Sequence, residues 1–203
     1  FHHSRGSRAK TFVAFIDFAP TVLSLAGITP PKNIDGTAVM GKFSEASKVQ
    51  TKNTALGHAD RFDEKYDLVR TLRVGKYKYI RNYQPFNVDA LFNFYRYKML
   101  AFQEWEILYN TGKLSAEQRQ FFEPRSAEAL YDLEQDPHEV NDLSTNPEYR
   151  PTLVELREQL KEKLLALPDL SFYPESFLLE NGFENPVAFG QKQQEEIKEL
   201  MAI

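Results

Sequence analysis

The sequence predicts an α+β fold, a small antiparallel sheet covered by helices on one side. Three observations carry this. Two β-branched and aromatic stretches, YDLVRTLRV (66–74) and KYKYIRNY (76–83), flank Gly75 as the arms of a hairpin. Leu153, Leu156, Leu160 and Leu164 follow Asn146 and Pro147 at helical spacing, the stripe of a long amphipathic helix. Strands and helices also fail to alternate in the βαβ order that a parallel sheet requires.

The elements follow in order. FIDFAPTVLSLAGI (15–28) reads as a short helix, with Asp17 as N-cap, Pro20 in its first turns and Gly27 as its left-handed stop. It is apolar nearly all round, so it buries most of its surface and needs a large partner. The few residues before it are a poor source of that surface. TPPKNIDGTAVMGKF (29–43) carries two prolines and two glycines and reads as irregular loop. TALGHAD (54–60) is a short strand, GHADRFDEKYD (57–67) a polar connection, and the hairpin around Gly75 comes next, with Tyr77 and Tyr79 on one face.

The pattern turns helical from Val88 to Phe122, with Phe102, Trp105, Leu108 and Tyr109 three and four apart and Gly112 as a stop. Ser115 and Gln118 form a capping box, and Pro124 ends the helix it opens. AEALYDL (127–133) is a further strand. The leucine-striped helix follows, then an aromatic, turn-rich tail (169–190) and a closing helix, QKQQEEIKELMAI.

Composition bounds the function. The 203 residues are 42% apolar, enough for a real core, with net charge −4 and no long run of either sign. That argues against a basic nucleic-acid face. No apolar run approaches the roughly 18 residues of a membrane helix, and no signal peptide opens the chain. The absence of cysteine removes disulfides, thiolate metal ligands and thiol nucleophiles. The 16 Phe and 10 Tyr suit core packing as well as a carbohydrate-stacking surface.

Few residues carry candidate chemistry. His2 and His3 open the chain in a polar segment, and His138 belongs to the turn DPHEVNDL. The stretch 57–67 gathers His58, Arg61 and four carboxylates (Asp60, Asp63, Glu64, Asp67), and Arg61 offers the planar fork that suits a carboxylate or sulfate. The competing reading is a solvated connection with weak surface ion pairs. Asp63 and Glu64, adjacent on a turn, are expected to diverge, whereas paired hydrolytic acids converge. SRGSR (4–8) has one glycine and no following Gly-Lys, so it is no phosphate loop.

Taken together, FIDFAPTVLSLAGITPP, ALGHADRFDEKYDLVRTLRVGKYKYIRNY, MLAFQEWEILYNTGKLSAEQRQFF and ALYDLEQDPHEVNDLSTNPEYRPTLVELREQL resemble the C-terminal part of a type I, formylglycine-dependent sulfatase. The nearer resemblance is to bacterial polysaccharide and heparan-type sulfatases. It implies an alkaline-phosphatase-like α/β domain followed by a smaller subdomain of about four antiparallel strands and a packed helix. On that reading 1–11 is a terminal segment, 12–53 the end of the large domain, 54–168 the C-terminal subdomain, and 169–203 a tail and helix. The opening helix would find its missing surface on the upstream catalytic domain, and a bare opening helix is also a surface for homodimers.

Formylglycine arises from Cys or Ser in a C/S-x-P/A-x-R motif, and calcium is held by Asp and Asn. The stretch Ser4-Arg5-Gly6-Ser7-Arg8 departs from the motif, with Gly6 where Pro or Ala belongs. No catalytic residue or metal ligand is therefore assigned to this chain. Calcium and formylglycine are expected in the full-length family, and His58, Asp60 and Arg61 are carried over as sugar-side contacts. The implied partner is a sulfated carbohydrate and the implied location periplasmic or extracellular. The alternative is a stand-alone module that binds sulfated polysaccharide or drives oligomerisation.

Overall fold

The computed structural model describes residues 11–44, 49 and 52–202. The chain divides into two compact units, one of Phe1–Ala55 with Arg73–Gly75, the other of Leu56–Leu72 with Lys76–Ile203. His2, His3 and SRGSR lie outside the described residues.

Helix α1 (Phe18–Leu25) organises the first unit. Gly27 takes φ 77°, the left-handed stop expected of it. Asp17 behaves differently from expectation. It stands at the N-cap position, but its side chain makes no capping bond. One carboxylate oxygen accepts from Thr37 N–H (2.9 Å), the other from Ala14 N–H (2.8 Å) and the Lys52 ammonium. The group is fully buried and ties three distant segments together. Thr21 Oγ1 and Ser24 Oγ accept from the N–H groups of Val39 and Phe43, so the 29–43 loop lies along the polar side of the helix. Gly36 allows this approach, because a Cβ there would stand 2.0 Å from the Ile16 carbonyl oxygen.

The sheet, most of which belongs to the second unit, is antiparallel, ordered β1 (Thr54–Phe62), β2 (Lys65–Val74), β3 (Tyr77–Asn82) and β4 (Glu128–Asp132). Gly75, at φ 56°, turns the expected β2–β3 hairpin. Strand β4 pairs with β3 in the register Tyr79↔Leu130. The stretch 57–67 is not a loop as expected. β1 runs through it to Phe62, and Asp63, at φ 51°, makes the tight turn into β2. Nor do Asp63 and Glu64 diverge, since Asn93 Nδ2 donates to both, at 3.2 Å each.

Helices α2 (Phe94–Tyr97), α3 (Leu100–Asn110) and α4 (Ala116–Arg119) follow β3, starting later than the Val88 that periodicity suggests. Phe102, Trp105, Tyr109, Phe121 and Phe122 form one aromatic cluster, with Trp105 and Phe121 stacked 4.5 Å apart. The Ser115–Gln118 capping box is formed in both directions.

Helix α5 (Arg150–Leu165), entered from a 3-10 turn capped by Asn146, buries the four predicted leucines to 2 or 3% exposure. They share the core with Leu72, Tyr79 and Leu130 of the sheet. The tail is helical rather than turn-rich. α6 (Glu175–Asn181), α7 (Pro186–Lys192) and α8 (Gln194–Ala202) close the chain, and Tyr173 packs on Phe177 and Phe189. No helix among the described residues is long and apolar enough to cross a membrane.

Candidate functional site

His58 and Asp60 alternate with Ala59 and Arg61 along β1, and they meet different fates. Asp60 is bound inside the second unit. Arg70, buried in mid β2, donates to its Oδ1 and, through Nε and Nη2, forks onto both oxygens of Asp169 (2.7 and 2.9 Å). Ser171 Oγ donates to the other Asp60 oxygen at 2.9 Å. Arg61 donates to the Tyr173 carbonyl, and its Nε lies 4.0 Å from Glu175. The two residues therefore pin the start of the tail to the sheet. His58 is exposed and makes no hydrogen bond among the described residues, on the rim of a cavity of about 350 Å³ that Asp60, Arg70 and Leu164 also line.

Burial raises the cost of charge at Asp169, and the Arg70 fork with the Ser171 N–H outweighs it, so its carboxyl titrates below the ordinary value. The same balance holds for Arg70, whose guanidinium is disfavoured by burial yet held charged by Asp169 and Asp60. This is a saturated ion cluster. Its one hydroxyl, Ser171 Oγ, is spent on Asp60, a carboxylate already held by Arg70, and no guanidinium fork of the cluster is left free for a ligand.

The opposite face of the sheet lines a cavity of about 550 Å³. Its cations are also paired. Arg125 grips both oxygens of Asp67 (2.6 and 2.8 Å), and Lys78 does the same to Glu139 (2.7 and 2.8 Å). Burial, then the charges of Asp142 and Glu139, push the Tyr131 hydroxyl up to about 12, so it stays a donor at neutral pH.

Asp17, Asp67, Glu128, Asp132 and Asp169 all titrate below their ordinary values, burial being overcome by partnered cations and N–H groups. The folded state thus binds protons less readily than the unfolded chain. The stability this contributes is complete above about pH 5 and is lost as pH falls through the ordinary carboxylate values and then the lower folded ones. Thermal melts from pH 7 to about pH 2.5 are expected to show this contribution constant down to about pH 5 and a progressively steeper fall of the midpoint below it.

Sequence reasoning missed Arg70, Asp169 and Ser171. The available signal was an arginine flanked by Leu68, Val69 and Leu72 in a strand otherwise bound for the core. Neither group of the sulfatase resemblance fits here. The sequence contains no complete C/S-x-P/A-x-R motif, and among the described residues no three of His, Asp or Glu gather to hold a metal.

The first unit holds the other anomaly. In and around α1 the buried residues are Asp17, Pro20, Thr21 and Ser24, while Phe15, Ile16, Phe18, Val22, Leu25 and Ile28 are 49 to 85% exposed. The helix is inverted, its polar side turned inward and its apolar side bare. Scattered exposed apolar residues are ordinary, but six within fourteen positions form a patch of the kind that marks an interface.

The family described as N-sulphoglucosamine sulphohydrolase, C-terminal, matches residues 2–110. An ulvan-active sulfatase of Formosa agariphila is 39% identical over 168 residues, 82% of this chain and 28% of that protein. A second ulvan-active sulfatase of the same organism is 26% identical over 171 residues, again 28% of its length. The chain thus spans under a third of the curated relatives it matches. The solved structure of a 2-O GAG sulfatase aligns over 73% of this chain and 24% of that one, at 19% identity and a TM-score of 0.43.

Proposed function

The chain belongs to the C-terminal family of N-sulphoglucosamine sulphohydrolase, and from that premise we propose that it is the C-terminal part of a sulfatase that hydrolyses sulfate esters of a glycan. The observation that carries the reading is the inverted α1. Its bare apolar side is the surface a large upstream catalytic domain would cover, and residues 12–53 would form the end of that domain. The separate packing of the first unit supports the assignment. Formylglycine and calcium would belong to the upstream part, where they polarise the ester and stabilise charge on the leaving oxygen.

The second unit would border the substrate. Asp60 and Arg61 hold the tail, which leaves His58 as the sugar-side contact of the three. That the relatives act on ulvan supports a sulfated polysaccharide as substrate.

A chimera tests the reading. This chain replaces the matched 28% of the 39%-identical Formosa agariphila sulfatase, and sulfate release from ulvan is followed. Retained release is the expected result. A folded chimera that releases none would contradict it.

A further inference from the structure

Beside α5 lies a cavity of about 440 Å³ that the proposed reaction does not use. Its walls bring together Arg81 of β3, Arg157 and Lys161 of α5, and the carboxylates Glu128 and Glu158. One carboxylate is spent. Arg157 places its fork on both oxygens of Glu128, at 2.6 Å each, and the Tyr79 hydroxyl donates to the same group. Arg81 and Lys161 remain. Neither side chain makes an ion pair or hydrogen bond among the described residues, and the Arg81 guanidinium rests 5.4 Å from the centre of the Tyr83 ring. Leu160, Leu164 and Met201 supply an apolar side to the same cavity.

In a chain of net charge −4 this concavity holds three cations against two carboxylates, and with Arg157 and Glu128 spent on each other it leaves Arg81 and Lys161 against the single carboxylate of Glu158, a net positive charge. Low-dielectric walls focus such a field on an anion. The volume lies within the few hundred Å³ of small-ligand sites. We propose that the cavity is a second, non-catalytic site for a sulfated sugar unit. Arg81 and Lys161 receive the sulfate oxygens, and the apolar side accepts the C–H face of the ring. The choice of a sulfated sugar rests on the glycan reading above; the oxyanion chemistry alone would equally suit phosphate.

The test is calorimetric titration of the 203-residue chain with ulvan oligosaccharides, desulfated ulvan oligosaccharides and inorganic phosphate. The sulfated oligosaccharide is expected to bind, more weakly as salt rises, and the desulfated one not to bind. Arg81→Ala and Lys161→Ala should each weaken binding about ten-fold, one charge-assisted contact, with melting midpoints unchanged. Lys161 is exposed, so Lys161→Glu carries the test if Arg81→Ala loosens the sheet. Three outcomes overturn the proposal: no binding by the parent chain, variants that bind like the parent, or phosphate binding as tightly as the sulfated oligosaccharide. None of them touches the sulfatase reading, which the chimera decides on sulfate release.

Discussion

Arg70→Ala is expected to lower the unfolding free energy by roughly 3–5 kcal/mol, the cost of stranding buried charges without their partner. The Arg70 side chain is 3% exposed, and Asp60 and Asp169 are 17% and 12% exposed, so water cannot replace what the guanidinium supplied. Asp169 opens the tail, and Arg61 holds the next turn through the Tyr173 carbonyl. Losing Arg70 should therefore also raise hydrogen exchange over 169–202 before the sheet opens. Ser171→Ala is the comparison, since it removes one hydrogen bond to Asp60 and should cost about 1 kcal/mol. Urea unfolding reads both. Equal losses in the two variants would show that the ion cluster is not what anchors the tail.

Asp17→Ala is the second large effect, roughly 3 kcal/mol, from a residue the sequence presents as an ordinary cap. The substitution leaves the N–H groups of Ala14 and Thr37 unsatisfied and the Lys52 ammonium without its partner. A plain N-cap would cost about 1 kcal/mol and disturb only α1. The distinguishing readout is hydrogen exchange at Thr37, which lies 20 positions away and should lose its protection together with α1.

These two residues also show where reading the sequence stops. The Gly75 hairpin, the Ser115 capping box and the α5 leucine stripe are local patterns, each decided within a few residues, and each forms as expected. The roles of Asp17 and Arg70 depend on distant partners, Thr37 and Lys52 at 20 and 35 positions from Asp17, and Asp60 and Asp169 at 10 and 99 positions from Arg70, and spacing carries no trace of them. The far half of β1 reads as a connection because its polar residues on both faces erase the apolar alternation that marks a strand. The closing helix forms where the sequence places it, whereas α6 and α7 have seven residues each, too short to announce themselves, and exist through packing around Tyr173. For the candidate residues, the sequence singles out His58, Asp60 and Arg61 by type but does not reveal that Asp60 and Arg61 are already occupied. The inverted side of α1 is legible only as excess apolarity, because which side faces inward is set by the 29–43 loop.

The most direct measurement is the effect of Val22→Asp, at a position 64% exposed on α1, made both in this chain and in the sulfatase chimera. In the chain alone the unfolding midpoint should hardly move, as for any exposed position, within about 0.5 kcal/mol. In the chimera the buried carboxylate should abolish sulfate release from ulvan and lower the midpoint. A substituted chimera as active and as stable as the one that keeps Val22 would mean that the bare side of α1 meets no catalytic domain.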